Sequence, residues 1–264
     1  MEAADYLRDT VIQTPAGSQV AVYVAGEAGP HFFILGGWAG RSIKNTPLAQ
    51  ILAEFVMTRG MSCTFVDLPG TTNLQWIREP ITMDLWLDDI SYIYRARGIV
   101  KSIWIGASLG AWPMLLLNQR QPGWFAAMCA LAPAIDWDTN YLLPGIAAGK
   151  LKEAGDLIFF EDSQALPFPR SLLASMSRFQ LSDHPWQISA PLHIIHGCLD
   201  DVASSEISER LKSNLQGAPC SLDMLPGESH RVGKLTDQAS QSCFANWLNS
   251  ISPNPAIGSV EAVT

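Results

Sequence analysis

Two short segments near the start of the chain alternate apolar and polar positions, one around Val11 and one from Gln19 to Val24. A period of two marks half-buried strands, and the intervening Pro15-Ala16-Gly17-Ser18 has turn chemistry, so the pair predicts a hairpin. His31-Phe32-Phe33-Ile34-Leu35 has a different pattern, a continuous apolar run halted by Gly36-Gly37. Such a run suits a strand buried on both faces. Thr46-Pro47 then supplies an N-cap and a first-turn proline for a helical stripe of Leu48, Ile51, Leu52, Phe55 and Val56, which Gly60 ends. Cys63 to Val66 predicts the next strand, closing at Asp67-Leu68-Pro69-Gly70. A second helix runs from Met83 to Arg97, with Trp86, Ile90, Ile93 and Tyr94 on one side. Ser102 to Ile105 is again strand-like, Gly106 to Gly110 a sharp turn, and Ala111 to Asn118 the start of a helix. Pro113 falls early enough in that helix for its missing N–H to be harmless. Ala126 to Leu131 predicts a further strand.

From about Ala134 to Ile188 this rhythm breaks. The stretch is rich in proline, aromatic and acidic residues, and no strand is evident in it. Order returns with a strand from Pro191 to His196 and a Ser204-capped helix carrying Ile207, Leu211 and Leu215. A strand from Ser221 to Leu225 and a helix holding Phe244, Trp247 and Leu248 follow. Strands alternating with helices predict an α/β fold, a mostly parallel sheet with helices on both faces. The expected organisation is a core of residues 1–133 and 189–251, with a small cap insertion at 134–188. The cap would lie over the carboxyl ends of the strands, where such sheets place their sites. Residues 252–264 form an expected flexible tail.

Composition narrows the field. A chain of 264 residues can bury one large core, and 48% hydrophobic with 16% charged residues is a globular profile. A net charge of -8 argues against nucleic acid, which needs clustered Lys and Arg. No stretch nears the roughly 18 apolar residues of a membrane span, so no membrane partner is expected. The first ten residues carry acids and no apolar core, so no signal peptide is expected either. The five cysteines are odd in number and scattered, with no CxxC pair and no metal-ligand spacing. No metal is therefore expected, and a reducing cytoplasm is the simplest compartment.

The candidate chemistry centres on Gly106-Ala107-Ser108-Leu109-Gly110, a G-x-S-x-G placed between a predicted strand and a predicted helix. In so tight a turn the residues two either side of the serine must be small. The hydroxyl then stands above the sheet at a helix N-terminus, whose dipole favours negative charge. A serine needs a neighbouring base, and in this arrangement the partners follow in the order Ser, Asp, His. Of the downstream histidines, His193 lies inside a strand, His196 ends that strand in a structural position, and His184 belongs to the insertion. His230 follows the last predicted strand, in a loop that reaches over the sheet, and is the expected base. The acid should follow the penultimate strand, where the H-G-x-x-D spacing of His196-Gly197-Cys198-Leu199-Asp200 selects Asp200 over Asp201. Asp136 and Asp138, after the preceding strand, are alternatives. Two N–H donors are needed for an oxyanion. The backbone N–H of Leu109 is one, and Gly36-Gly37-Trp38-Ala39-Gly40 offers that of Trp38 as the other. Arg41 is placed to meet an anionic substrate group or to be an ordinary exposed arginine.

With these pieces in hand, the whole chain resembles the α/β-hydrolases. The more specific resemblance is to the mitochondrial palmitoyl-protein thioesterase and acyl-glucuronide esterase group with its bacterial esterase relatives. It is carried by Gly37-Trp38, by the run from Gly106 to Trp112, by Leu192 to Val202, and by Ser229-His230-Arg231. Residues 70–82 and 134–188 show no match. Gly36 departs from the pattern, since many hydrolases carry a histidine there, and the acidic N-terminus gives no mitochondrial address. The resemblance implies an acyl-enzyme on Ser108 formed from an ester, thioester or lactone, free or linked to a carrier or CoA, with no cofactor. The expected apolar substrate site comprises Trp38, Trp112, Phe159, Phe160 and Trp186; the competing expectation is that these rings merely pack the cap onto the sheet. Hydrolysis of an apolar acyl ester or thioester is the leading reading. The alternatives are acyl transfer or cyclisation on the same residues, C–C bond hydrolysis, and a receptor-like binder that kept the fold. The oligomeric state is unknown from sequence.

Overall fold

The computed structural model describes residues 6–38, 42–72, 80–160, 166–182 and 185–251. The expected flexible tail, Arg41 and His184 lie outside these residues. Eight strands form the main sheet. They are β1 (Arg8–Gln13), β2 (Gln19–Ala25), β3 (His31–Leu35), β4 (Ser62–Asp67), β5 (Ser102–Ala107), β6 (Phe125–Leu131), β11 (Leu192–Gly197) and β13 (Cys220–Leu225). Their spatial order is β1-β2-β4-β3-β5-β6-β11-β13. β2 alone runs antiparallel to its neighbours β1 and β4, and every pair from β4 to β13 is parallel.

The parallel strands inside the edge strand β13 are buried on both faces because helices cover both. On one side pack α2 (Met83–Ala96), α3 (Ala111–Arg120) and α6 (Ser205–Asn214); on the other lie α1 (Pro47–Thr58) and α7 (Gln238–Ile251). β3 shows how a continuous apolar run serves two cores. Its Phe33 and Leu35 join the cluster under α2 and α3, while Phe32 and Ile34 join the cluster under α1 and α7. The predicted Thr46 cap forms, its side chain accepting from the Ala49 N–H, and Pro47 opens the helix. Ser204 does occupy the N-cap of α6, but its side chain makes no capping bond.

The insertion is more ordered than the sequence suggests. It holds α4 (Leu143–Ala147), α5 (Arg170–Met176) and an antiparallel sheet of β7 (Leu151–Ala154), β8 (Leu157–Phe160) and β9 (Phe168–Pro169). It closes with β10 (Trp186–Ile188), which pairs in parallel with β12 (Leu215–Gly217) outside the main sheet. The expectation of no strand there fails for a physical reason: β7 buries only Leu151, and β9 is two residues long, so neither shows a periodicity. The two ends of the insertion are joined by Asp136, a buried carboxylate that accepts the N–H groups of Leu181 and Ser182. Gln180 donates to Asp138 beside it. No helix among the described residues is long and apolar enough to cross a membrane.

Candidate active site

The turn after β5 is as tight as its sequence demands. Ser108 sits at φ 52, a left-handed conformation that L-residues other than glycine seldom adopt. The neighbouring glycines make it possible. A Cβ on Gly106 would lie 2.5 Å from Ala111 Cα, and one on Gly110 would lie 2.5 Å from the carbonyl oxygens of Leu35 and Gly36. The strand thus turns straight into α3, with the Ser108 side chain projecting at the carboxyl end of the sheet.

His230 reaches it from the loop after β13. Ser108 Oγ lies 2.8 Å from His230 Nε2, and His230 Nδ1 lies 2.7 Å from Asp200 Oδ2. Against a carboxylate the Nδ1–H must donate, which leaves the Nε2 lone pair to accept the Ser108 proton. Asp200 has no exposed side-chain surface, whereas a fifth of His230 remains exposed. Burial alone would raise the Asp200 carboxyl, but hydrogen bonds from His196 and His230 and the His230 charge outweigh it and hold it well below the usual carboxylate range. Its second oxygen accepts the N–H groups of Val202 and Ala203. Every direction around the carboxylate is therefore occupied. Asp201 is exposed, and Asp136 and Asp138 are engaged within the insertion by Leu181 and Gln180.

His196 does more than end a strand. Its Nε2 meets both Asp200 Oδ2 at 3.0 Å and the Ala203 carbonyl at 2.9 Å, and its Nδ1 lies 2.7 Å from Ser208 Oγ. A carbonyl can only accept, so Nε2 carries the proton, and Ser208 fits Nδ1 as the donor. The acid is thus clamped between two imidazoles. Spacing placed His196 four residues before Asp200, but nothing in the sequence indicated that the ring would turn towards it.

The acid and base loops are joined as well. Leu199 N–H donates to the Glu228 carbonyl at 2.8 Å, and a Cβ on Gly197 would come within 2.3 Å of that same oxygen. Glycine at 197 is what lets the loop of His230 cross so close to the end of β11.

A cavity of about 90 Å³ opens beside Ser108, lined by Gly37, Trp38, Ile43, Leu48, Asp67 and His230 among others. Gly37 rests on the nucleophile, where a Cβ would lie 2.6 Å from Ser108 Cβ. At Gly36, the position where many hydrolases carry histidine, Ile43 fills the space: a Cβ there would meet its side chain at 3.2 Å. Asp67 holds that wall, accepting from the Ile43 N–H and the Tyr23 hydroxyl, and burial pushes its carboxyl above the ordinary range.

Of the five residues expected to line the substrate site, Trp38 alone lines this cavity, and its indole N–H donates to the Leu166 carbonyl of the cap. The other four are placed elsewhere. Trp112 is fully buried on α3 and donates to the Phe179 carbonyl, and Trp186 is buried in β10. Phe160 stacks on Trp137, and Phe159 points outward from β8 at 40% exposure. An aromatic ring near a loop can line a site or pack into the core, and the rings of Trp112 and Trp186 are both buried in the core cluster.

No protein-family model matches the chain, and no curated protein matches it in sequence. Solved structures do match in shape. α/β hydrolase domain-containing protein 10 from mouse superposes with a TM-score of 0.75 at 18% identity, over 92% of this chain and 98% of that one. Est1E from Butyrivibrio proteoclasticus gives 0.66 at 17%, over 92% and 99%. The serine hydrolase CCSP0084 from Cycloclasticus zankles gives 0.65 at 16%, over 94% and 100%. At such identities the likeness establishes the fold, and the chain has the α/β-hydrolase fold.

Proposed function

We propose that this α/β-hydrolase-fold chain is a serine hydrolase that cleaves an ester or thioester of a compact apolar acyl group through an acyl-enzyme on Ser108. The observation that carries the reading is the unbroken hydrogen-bonded series from Ser108 Oγ through His230 to Asp200, with its serine in a strained strand-to-helix turn. His230 Nε2 takes the Ser108 proton as the oxygen attacks the carbonyl carbon, and Asp200 holds the imidazolium so formed. The backbone N–H groups of Leu109 and Trp38 are assigned to the oxyanion of the tetrahedral intermediate. His230 then returns the proton to the leaving alcohol or thiol. A water deprotonated by the same ring attacks the acyl-enzyme and releases the acid. None of these steps calls on a cofactor.

The acyl group is assigned to the cavity walled by Trp38, Ile43 and Leu48, whose small volume favours a short or compact chain. Ferulic acid is bound to Est1E in one solved structure of that protein, a relative in shape only.

Intact-mass spectrometry after treatment with a fluorophosphonate tests the nucleophile, with wild type beside Ser108→Ala. One adduct on wild type and none on the variant is the expected result. Equal labelling of both would remove Ser108 from its role. A series of nitrophenyl esters then tests the acyl pocket, with acetate to butyrate expected to outrun palmitate. His230→Ala should abolish turnover, whereas Asp201→Asn should leave it intact.

A further inference from the structure

A second cluster of reactive side chains lies on the other part of the sheet edge, in the amino-terminal half of β11, away from the end that carries Asp200. His193 on β11 pairs with Ser221, while Asp223 on β13 pairs with Ile195. His193 and Asp223 are thus offset by two residues and share the face that α7 covers. From α7 comes Cys243, one helical turn before Trp247, whose ring stacks on the His193 imidazole at 6° between planes.

Three unlike donor atoms meet there. Asp223 Oδ2 lies 3.3 Å from His193 Nε2 and 3.0 Å from Cys243 Sγ, and all three fall within 4.8 Å of one another. The imidazole is held from behind, its Nδ1 lying 2.7 Å from Ser221 Oγ. Its Nε2 is buried, with the Asp223 carboxylate as its ion-pair partner at 3.3 Å and no closer hydrogen bond. A surface cavity of about 450 Å³ opens over the group.

We propose that His193, Asp223 and Cys243 form a binding site for a zinc-class divalent cation, with a fourth coordination position turned to this cavity. Tetrahedral zinc with arms of about 2.0 to 2.3 Å sets its ligand atoms roughly 3.3 to 3.7 Å apart, so the group closes on an ion with movements of about an ångström or less. One nitrogen, one oxygen and one sulfur suit a borderline cation. Magnesium and calcium ask for a cage of oxygens, of which this site has a single carboxylate. On binding, the Cys243 S–H bond breaks, a metal–sulfur bond forms, and the proton leaves to solvent. The Ser221 hydroxyl orients the imidazole as outer-shell groups do at zinc sites. The ion would fasten α7 to β11 and β13 without touching the Ser108 site. Because the ligands come from three separate elements, no spacing in the sequence announced them.

The test is a cobalt titration of the chelator-treated full chain, followed in the near ultraviolet and visible. One equivalent of cobalt with a sulfur-to-metal charge-transfer band, displaced by zinc, is expected. The band should vanish in Cys243→Ser and persist in Cys220→Ser, whose cysteine lines the same cavity. Ser221→Ala should weaken binding about tenfold. If Cys243→Ser fails to fold, the exposed Asp223→Asn carries the same test and should lose affinity. No band in the wild type, or a band that survives Cys243→Ser, would overturn the site.

Discussion

The chemistry of single residues here rests on backbone positions that only particular side chains tolerate. Ser108 at φ 52 is held in a conformation that costs a non-glycine residue about 1 kcal/mol or more. Ser108→Gly should therefore raise the midpoint of thermal unfolding by a few degrees while abolishing fluorophosphonate labelling; a fall in the midpoint would show that the turn stores no strain. Gly37 exerts the opposite constraint, since a methyl there would sit 3.1 Å from Ser108 Oγ. Gly37→Ala should slow labelling about 100-fold through displacement of the serine, and the same overlap with Ser108 Cβ should lower the urea midpoint of unfolding. Ser108, His230 and Asp200 could be picked out in the sequence because each follows a strand that is itself recognisable. Trp112 and Trp186 could not be placed, because whether a ring faces a cavity or a core depends on what packs over it. His196 was visible as a residue and invisible as a partner of Asp200, for its ring direction is set by Ser208 and Ala203 from beyond the strand.

Among the elements, the parallel strands were the most legible, since burial on both faces leaves uninterrupted apolar runs such as Phe32 to Leu35. The cap was the least legible, because its short strands pair with each other and lean on single buried residues such as Leu151 and Phe168. β3 also begins with an unusual choice. His31 is buried against Ser62 at the head of the strand, and burial, with a smaller push from Arg97, lowers its imidazole from 6.5 to about 3. The unfolded chain takes up that proton near pH 6.5, and the folded chain refuses it until about pH 3. Stability is thus full above the unfolded value and drains away as the pH falls through the interval between, by up to about 1.4 kcal/mol per pH unit. In His31→Gln the slope of unfolding free energy against pH between 6 and 4 should flatten by about that amount. An unchanged slope would mean that the imidazole gains a proton without unfolding.

At the scale of the whole molecule, the candidate site is assembled from both sides of the cap. The nucleophile comes from the sequence before it, and the acid and base from the two linked loops after it. The turn between β7 and β8 lies on the cap, and Gly155 there has open space in the direction a side chain would take. A chain severed at that turn would yield one fragment holding the serine and another holding its two partners. The β7–β8 ladder and the β6–β11 pairing remain to bring the fragments back together. Neither fragment alone should react with fluorophosphonate, and the mixture should react at a rate that grows with the concentration of each. Fused to two other proteins, the halves would turn the meeting of those proteins into a covalent mark on Ser108.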